Sequence, residues 1–455
     1  MTHTLVLDIG KSNVKLLLID EGGAVLSLQV RTNAAVVGAD YLELDTKGIA
    51  AWLQSTIPSL PERERIGHIS ISTHGAAFCA VDDALLVLPP IDYEWDGYGA
   101  CRETFKRIAD PFAQTGSPDL ALGLNAGLQL FWVHQTRPDA WQRIRHWLPY
   151  PQYWAWWFSG VAASEVSSLG CHTHLWSPTG RSLSPWTKTL GLADRLPPLR
   201  RAWETLGTVK TDLARSLGLS GECLVHVGVH DSNACLARHL HAVPGGVVVS
   251  TGTWCVVMAP GAPVATLVPE LDQLVNISVE GQAVPTARFM GGREFSLLCA
   301  GADPSLATVA NLQEALVHGW AVSPTFAESS GPHQVRQAQI WRNGSIWTQG
   351  ISGVPHHLRP ALASRYCADI TAELIASLSV RMTGPTAVVI EGPLADNEAY
   401  GASLAARLEP KQMLRSTDPL EGTARGAWML ADWTARSRLA GWYAPLARAH
   451  PGVVK

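Results

Sequence analysis

Aspartates and small polar residues follow apolar runs at several points of the chain, and they are the residues best suited to phosphate chemistry. Asp8 ends the apolar run 5–8, and a polar turn that contains Gly10 and Lys11 leads into the next apolar run, 14–20. A strand that delivers a carboxylate and free turn N–H groups suits a phosphate and its metal ion. An ordinary surface hairpin explains these residues equally well, so this turn alone decides nothing.

Two later segments have the same design. Residues 245–260 form a second predicted hairpin with the turn STGT at 250–253, and the predicted strand 387–390 runs into the loop 391–397. Between them, Asp231 ends a predicted strand, 225–231, and precedes a helical segment, where a helix N-cap is the alternative role. The chain contains neither a Walker A pattern nor G-x-G-x-x-G, which argues against P-loop and Rossmann nucleotide sites.

The elements that must position these residues repeat once along the chain. A predicted strand at 24–30 follows the first hairpin, and Pro244-Gly245-Gly246 marks a boundary near 240–245 before the second. Two hairpins, one opening each half, indicate a duplicated fold with two related domains. Strands are also predicted at 66–72 and 80–88, and helices at 46–56, 101–112, 125–145, 359–382 and 423–437. Residues 322–350 form a polar, poorly periodic segment.

Composition narrows the class of protein. The chain has 455 residues, 47% hydrophobic and 16% charged, with a net charge of -4. This predicts a folded protein of two or three domains and argues against nucleic acid as a partner. The sequence has no apolar run long enough to span a membrane and enters a strand without a signal-peptide pattern, so we expect a cytoplasmic location.

The cysteines and tryptophans have plain explanations. The eight cysteines include no C-x-x-C pair, and we expect reduced thiols in the core. The segment 171–174 (CHTH) has no distant partner pair, so no metal is assigned there. Most of the 18 tryptophans are expected in the core, although one or two could line a sugar site.

The motifs together resemble those of the FGGY family of carbohydrate kinases, in the actin-like ATPase superfamily, over nearly the whole chain. Residues 8–15 (DIGKSNVK) resemble the first phosphate motif, 230–231 (HD) the region of the catalytic aspartate, and 250–253 (STGT) the second phosphate motif. Residues 391–397 (EGPLADN) resemble the adenosine motif. Weaker matches lie at 73–75 (THG), 154–165, 196–208 and 423–427.

Several positions depart from the family pattern. Glu391 and Pro393 alter the glycine-rich adenosine motif, and Lys11 stands where a small residue is commoner. The loop 92–96 lacks the usual arginine-containing pattern, and the later signature region, around 322–350, is not recognisable. The resemblance is closest to the rhamnulose and fuculose kinases.

The resemblance implies an α/β fold of two actin-like (ribonuclease H-like) domains with a cleft between them. Residues 1–242 would carry the sugar site and first phosphate loop, and 243–455 the nucleotide site. The implied activity is transfer of the γ-phosphate of ATP to a hydroxyl of a small sugar, a ketose or deoxyketose. Asp231 would be the base, and Asp8 would hold Mg²⁺, through water.

The remaining roles follow from the same resemblance. Nucleotide contacts are expected from Asp8, Gly10, Lys11, Ser12, Asn13, Lys15, Thr251, Gly252, Thr253, Gly291, Gly392 and Asn397. Sugar contacts are expected from His74, Gly75, Glu94, Trp95, His230 and Asp231. Exposed lysines explain Lys11 and Lys15 as well, a structural histidine explains His230 nearly as well, and a solvated loop explains Glu94 and Trp95 about equally well.

Two other classes stay open on the sequence alone. A non-catalytic sugar- or nucleotide-binding regulator on the same fold is favoured by the altered adenosine motif and disfavoured by Asp8 and Asp231. An actin-superfamily ATPase or phosphatase without a sugar is disfavoured by the tryptophan-rich first half and by residues 73–75. The sugar, its phosphorylated hydroxyl and the oligomeric state are not specified, and a homodimer is one arrangement to test.

Overall fold

A computed structural model describes residues 2–327, 331–334, 336–379, 387–408, 412–418, 422–439 and 446–449. It divides into two compact units that are discontinuous along the chain. The first unit comprises Met1–His241, Val275–Ala283 and Gly422–Tyr443, and the second comprises Ala242–Leu274, Val284–Glu421 and Ala444–Lys455. The predicted division into functional domains at 242/243 stays a prediction.

The strands and helices alternate along most of the chain. The strands are β1 His3–Ile9, β2 Asn13–Ile19, β3 Val25–Thr32, β4 Val36–Val37, β5 Leu42–Glu43, β6 Ile66–Thr73, β7 Phe78–Val81, β8 Leu86–Leu88, β9 His146–Pro149, β10 Trp176–Ser177, β11 Ser182–Leu183, β12 Thr205–Thr208, β13 Leu224–His226, β14 Val229–His230, β15 Val247–Thr251, β16 Cys255–Met258, β17 Gln273–Ile277, β18 Ala283–Phe289, β19 Trp320–Ser323, β20 Gln339–Arg342, β21 Ser345–Ile346, β22 Val388–Glu391, β23 Met413–Ser416 and β24 Leu446–Arg448. The helices are α1 Thr46–Thr56, α2 Ala100–Ile108, α3 Phe112–Thr115, α4 Ala126–Thr136, α5 Pro138–Arg143, α6 Tyr150–Ser159, α7 Val166–Leu169, α8 Pro185–Thr189, α9 Thr211–Leu217, α10 Asp231–Leu240, α11 Gly291–Cys299, α12 Val309–Val317, α13 Arg359–Ser379, α14 Glu398–Leu408, α15 Gly422–Leu430 and α16 Trp433–Arg436.

The main sheet of the first unit has the order β12-β13-β6-β1-β2-β3, and β14 also pairs with β6. Strands β1, β2 and β3 form an antiparallel meander, while β6 runs parallel to β1, and β13 and β14 run parallel to β6. The strands β1, β6 and β14 therefore present their carboxyl ends at the same edge.

Both faces of this sheet are covered by helices. Leu5, Leu7 and Ile71 share one face because side chains alternate along a strand, and they belong to a core cluster that includes Trp154 and Phe158 of α6. Ser70 points to the other face, where its hydroxyl donates to the carbonyl of Ala427 in α15 at 2.6 Å. Helix α15 also packs closely on α10, since a Cβ at Gly426 would overlap the Ala234 carbonyl.

The second unit repeats the arrangement of the first. Six strands of its seven-stranded sheet follow the order β18-β16-β15-β22-β23-β24. Strands β15, β16 and β18 form an antiparallel meander, and β22 runs parallel to β15, as β6 does to β1. The predicted duplicated α/β, actin-like fold is therefore confirmed, and both predicted hairpins exist as β1–β2 and β15–β16.

Four details of the predicted elements were wrong. The strand predicted at 80–88 is a hairpin of β7 and β8, because Asp82 accepts the backbone N–H groups of Ala84 and Leu85 and turns the chain. The helix predicted at 125–145 is two helices, α4 and α5, divided before Pro138. The strand predicted at 225–231 is two short strands, β13 and β14, and the single helix predicted at 423–437 is divided into α15 and α16.

The other predicted elements exist, although the helix predicted at 101–112 is α2 and ends at Ile108. The helix predicted at 359–382 is α13 as far as Ser379, and 380–382 lie outside the described residues. Of the six tryptophans at 132–157, all but Trp157 are buried, as predicted for core residues. Within the ranges described above, no helix has both the length and the apolar character needed to cross a membrane.

Candidate active site

The strand register of the first unit brings several predicted site residues to one edge of the sheet. Asp8 of β1 lies beside Ser72 of β6, which lies beside Val229 of β14. The next position aligns Ile9 with Thr73, and Thr73 with His230. The polar turn after β1, the segment 73–75 after β6 and the His230-Asp231 pair after β14 therefore follow the same edge.

The turn after β1 is held by backbone hydrogen bonds. The Gly10 N–H donates to the Asn13 carbonyl at 2.9 Å, and the Asn33 side-chain amide donates to the Gly10 carbonyl at 2.7 Å. The Asn33 N–H donates to the carbonyl of Ser12 at 2.9 Å. The side chains of Ser12 and Asn13 are exposed at this turn.

The carboxylate of Asp8 is buried at the base of the turn. It accepts a hydrogen bond from the Thr423 hydroxyl of α15 at 3.1 Å, and Asp8 pairs in register with Lys15 of β2. The segment 423–427 was matched to the family only by pattern, and the structure adds that Thr423 is a direct neighbour of Asp8. The chain separation of 415 residues hid this contact from the sequence.

Lys11 is bound to the loop after residue 91. Its ammonium lies 2.6 and 2.5 Å from the two carboxylate oxygens of Asp92 and 3.2 Å from Glu94 Oε2. It also lies 4.8 Å from the centre of the Tyr93 ring. The Asp92 side chain is buried, so this pair connects the first polar turn to the predicted sugar loop. A phosphate contact by Lys11 stays a prediction.

Asp231 is the first residue of α10, and its two carboxylate oxygens differ in their surroundings. Oδ1 accepts the Ser232 N–H at 2.5 Å and the Ser232 hydroxyl at 3.2 Å, and lies 3.1 Å from His230 Nε2. Among the residues that the structure describes, Oδ2 has no hydrogen-bond partner. The side chain is 28% exposed.

His230 is fixed on both ring nitrogens. The Asn233 amide donates to Nδ1 at 3.1 Å, which places the ring proton on Nε2, between Asp231 Oδ1 and the Cys171 sulfur at 3.3 Å. Burial lowers the pKa of His230, and the charge of Asp231 opposes this shift. A neutral ring is therefore favoured, and it holds Asp231 with an N–H donor.

His74 and Gly75 lie against this pair. His74 Nδ1 lies 2.9 Å from the Gly75 carbonyl, and its Nε2 is buried without a hydrogen-bond partner among the described residues. Burial lowers the pKa of His74. A Cβ at Gly75 would come within 2.9 Å of His230 Nε2 and 3.0 Å of the Cys171 sulfur, so only glycine fits this position without a shift.

Glu165 was not predicted as a site residue, yet it is linked to the backbone of His230 through the Ser167 hydroxyl. Its fully buried carboxylate accepts the N–H and hydroxyl of Ser167 at 2.9 and 2.5 Å and the N–H of Ser168 at 3.1 Å. The Ser167 hydroxyl in turn accepts the N–H of His230 at 3.3 Å. Burial raises the pKa of Glu165 to about 7, and these hydrogen bonds oppose the shift. Its position after Ser164 in a loop-rich region gave no periodic signal.

Glu94 and Trp95 differ in their surroundings. The Glu94 side chain is 54% exposed and touches Lys11. The Trp95 ring packs at 4.7 Å from Tyr98 and 5.0 Å from Trp132, measured between ring centres. Trp95 therefore belongs to an aromatic cluster, and a sugar contact by it stays a prediction.

In the second unit, the turn after β15 meets the loop after β22. The Thr251 hydroxyl donates to the Glu391 carbonyl at 2.5 Å and accepts the Leu394 N–H at 3.1 Å. Gly392 has φ +85°, and a Cβ there would overlap the Thr251 carbonyl oxygen. These two predicted nucleotide segments are therefore in direct contact, and glycine is required at 392.

A cavity of about 900 Å³ opens beside these loops. Its lining includes Gly252, Thr253, Phe295, Pro393 and Asn397. Thr251, Gly291 and Gly392 do not line it. Asn397 Oδ1 accepts the Tyr400 N–H at 2.9 Å and so also supports the start of α14. The volume lies within the range of known small-molecule sites, ~300–1,000 Å³.

The donor set of the first unit fits magnesium better than a metal held by protein ligands alone. Across the described ranges, no three side chains of His, Cys, Asp or Glu are grouped to hold a metal. Mg²⁺ keeps several waters and needs only one or two carboxylates plus substrate phosphates. The buried carboxylate of Asp8, at the base of a turn whose Ser12 and Asn13 side chains are exposed, meets that requirement.

Comparison with known proteins identifies both halves of the chain. Residues 3–237 match the model of the FGGY family of carbohydrate kinases, N-terminal domain, and residues 245–438 match the model of carbohydrate kinase FGGY, C-terminal domain. The L-fuculokinase of Salmonella typhi is 28% identical over 58% of this chain and 57% of its own length. A xylulose kinase of Staphylococcus epidermidis is 26% identical over 56% of this chain and 51% of its own. The matched region thus spans little more than half the length of these curated relatives.

Solved structures match over the whole length. A carbohydrate kinase from Novosphingobium aromaticivorans is 32% identical, with a TM-score of 0.85, over 99% of this chain and 95% of its own. Plasmodium falciparum glycerol kinase, solved with ADP, shares the fold with a TM-score of 0.78 at 13% identity, over 99% of this chain and 94% of its own. The chain belongs to the FGGY family of carbohydrate kinases.

Proposed function

We propose that this protein transfers the γ-phosphate of ATP to a hydroxyl of a small sugar. The observation that carries the proposal is the shared edge of β1, β6 and β14, which joins the turn after Asp8, His74 and the His230-Asp231 pair. Phosphoryl transfer needs positioning, charge neutralisation and an acceptor for the hydroxyl proton, and this edge offers all three.

In this proposal, Asp231 is the general base. Its Oδ2 accepts the proton of the sugar hydroxyl, while the donors on Oδ1, from Ser232 and His230, keep the carboxylate oriented. His74 Nε2, buried and without a partner among the described residues, is the proposed contact to another sugar hydroxyl. Glu94 and Trp95 complete the sugar loop, 92–96, which Lys11 fixes through Asp92.

The nucleotide is assigned to the second unit. Residues 243–455 bind ATP in the cavity bordered by Gly252, Thr253 and Asn397, and residues 1–242 bind the sugar. The glycine contacts behind this cavity support the assignment, because they let the turn after β15 and the loop after β22 approach closely. The similar glycerol kinase was solved with ADP, which also favours a nucleotide.

Magnesium is the proposed metal. Asp8 would hold it, in part through water, and the ion would neutralise charge on the transferred phosphate. Thr423 keeps the Asp8 carboxylate in place from α15. Lys15, the register neighbour of Asp8 in β2, is the proposed cation for the phosphate itself.

The proposed substrate is a ketose or deoxyketose. The proposed location of the protein is the cytoplasm. The relatives named L-fuculokinase and xylulose kinase support a ketose. All eight cysteines are free thiols, and seven are buried, which suits a reducing compartment.

A coupled assay of ADP release tests the proposal. Purified protein with Mg-ATP is screened against fuculose, rhamnulose, xylulose, ribulose and a set of polyols. We expect strong stimulation by one ketose. The absence of any sugar-dependent ADP release, in protein that is shown to bind ADP, would contradict the kinase assignment. It would favour the second candidate, a non-catalytic sugar- or nucleotide-binding regulator on the same fold. The altered residues Glu391 and Pro393 in the adenosine loop support that candidate.

A further inference from the structure

A second cavity, distinct from the one beside the turn after β15, is lined by residues of the first unit. None of the predicted site residues line it. Its volume is about 760 Å³. Four arginines, Arg181, Arg200, Arg201 and Arg438, lie on its lining, together with Trp176, Trp203 and Trp433. A concave surface with this composition is suited to a negatively charged molecule with a ring.

The acidic residues of this cavity are already engaged. Glu204 lies 3.4 Å from Arg200 and accepts the backbone N–H of Arg201 at 3.2 Å. Glu280 lies 2.8 Å from His241 Nε2. By contrast, no ion pair joins Arg181 or Arg438 to a carboxylate in the described part of the chain. The cavity therefore has an excess of positive charge, and these two exposed guanidinium groups are available to an anion.

The tryptophans form a fixed wall. The rings of Trp203 and Trp433 stack with centres 5.6 Å apart and an interplanar angle of 28°, and His241 meets Trp433 edge-on at 5.4 Å. Arg201 lies over the Trp203 ring, 5.5 Å from its centre. Such a wall offers apolar area at little cost in side-chain entropy.

All three chain segments of the first unit contribute to the lining of this cavity. His241 is the last residue of the unit's first segment, residues 279–281 belong to the short segment Val275–Ala283, and residues 433–438 belong to Gly422–Tyr443. A ligand that contacts all three would restrict their relative movement.

We infer that this cavity binds a phosphate monoester that carries a ring, as a site separate from the ATP and sugar sites. The guanidinium groups of Arg181 and Arg438 bind the phosphate, because arginine pairs with phosphate oxygens in a bidentate manner. The tryptophan wall contacts the ring. Either a sugar phosphate or a nucleoside monophosphate has this chemistry, and the experiment distinguishes them.

Isothermal titration calorimetry tests the site in the full-length protein. Mg-ADP is present at saturation so that the nucleotide cavity is occupied. Glucose 6-phosphate, AMP and inorganic phosphate are titrated separately in low-salt buffer, and tryptophan fluorescence is followed in parallel. We expect saturable binding of at least one ester, about tenfold tighter than inorganic phosphate, and the tighter ester identifies the source. No saturable binding, or inorganic phosphate binding as tightly as both esters, would overturn the inference.

Substitutions locate the binding. Arg181→Ala and Arg438→Ala should each weaken the ester about tenfold, since a charge-assisted contact is lost, and the double variant more. Arg215→Ala, at an exposed arginine on α9 that pairs with Asp212, is the matched control and should bind normally. ADP binding by the same variants shows that they are folded. Unchanged ester affinity in the folded Arg181→Ala/Arg438→Ala variant would contradict the site.

Discussion

His230 Nε2 lies 3.1 Å from Asp231 Oδ1, and Gly75 leaves the space that this contact needs. The hydrogen bonds from Asn233 to Nδ1 and toward Asp231 from Nε2 give the imidazole one orientation. The proposed base is therefore positioned by a neutral histidine and not by a cation. This arrangement leaves Oδ2 of Asp231 for the substrate.

Gly75→Ala should impair catalysis through His230. The new Cβ would come within 2.9 Å of Nε2 and 3.0 Å of the Cys171 sulfur, so the ring must move. We expect kcat to fall about 100-fold, because a shift of about 1 Å at a catalytic group has that effect.

A second substitution shows whether the loss of kcat comes from crowding of the His230 ring or from a general disturbance of the fold. Cys171→Ala removes the sulfur and gives the ring room, so Gly75→Ala/Cys171→Ala should recover part of kcat, while Cys171→Ala alone stays near wild type. If the double variant is as slow as Gly75→Ala, crowding at His230 is not the cause of the loss.

Lys11→Met should weaken sugar binding more than ATP binding. The substitution removes the ammonium partner of the buried Asp92 carboxylate, which still accepts the Glu94 N–H, and the sugar loop loses its connection to the first turn. We expect the KM for sugar to rise about tenfold and the free energy of unfolding to fall by about 1–3 kcal/mol.

Steady-state kinetics and urea unfolding measure both effects. Lys106→Met is the control, because Lys106 forms an ion pair with the exposed Asp119, and its loss should cost less than about 1 kcal/mol. A rise in the KM for ATP with an unchanged KM for sugar would instead support a phosphate contact by Lys11.

Gly392→Ala should raise the KM for ATP and lower the melting temperature. The glycine has φ +85°, and an added Cβ would overlap the Thr251 carbonyl. Gly245→Ala is a matched control with φ +71° and open space around the added Cβ. Both variants carry the cost of positive φ, about 1–2 kcal/mol, whereas only Gly392→Ala must also displace backbone. Equal melting temperatures of the two variants, measured by calorimetry, would refute the role of this contact.

Glu165 should make the folded state less stable as the pH rises. Burial raises its pKa from 4.5 to about 7, so the folded state binds more protons than the unfolded state between these values. The stabilisation that follows is fully present below pH 4.5 and is lost as the pH rises through about 7.

The comparison with Glu165→Gln isolates this contribution. Between pH 5 and pH 7.5, the free energy of unfolding of the wild type should fall by about 2 kcal/mol more than that of Glu165→Gln. Glu64→Gln, at an exposed position, should follow the wild type. Parallel urea-unfolding curves for wild type and Glu165→Gln at both pH values would show that the carboxyl does not titrate in this range.

The sequence was sufficient for the features that local pattern encodes. The hairpins β1–β2 and β15–β16 are apolar runs interrupted by glycine-containing turns, and their duplication predicted the two similar units. The same logic located Asp8 and Asp231 at strand ends. Asp8 and Asp231 lie at the same edge of the sheet because β1 and β14 both pair with β6 in parallel, which places the carboxyl ends of these strands together.

Contacts between distant segments could not be predicted in this way. The Lys11–Asp92 pair joins residues 81 positions apart, and the Thr423–Asp8 contact joins residues 415 apart. Glu165 stands in a loop-rich stretch without periodicity, so its burial was not visible. The arginines of the second cavity are scattered from 181 to 438, and only the folded chain brings them together.

The most direct test of the central claim is the rate of sugar-dependent ADP release by Asp231→Asn. The amide keeps the size and the Oδ1 contacts of the side chain but cannot take the hydroxyl proton. We expect kcat to fall by about 100- to 10,000-fold, with sugar and ADP binding retained by calorimetry and with Asp212→Asn, at an exposed helix position, active as the wild type. Turnover of Asp231→Asn close to that of the wild type would contradict the assignment of Asp231 as the base.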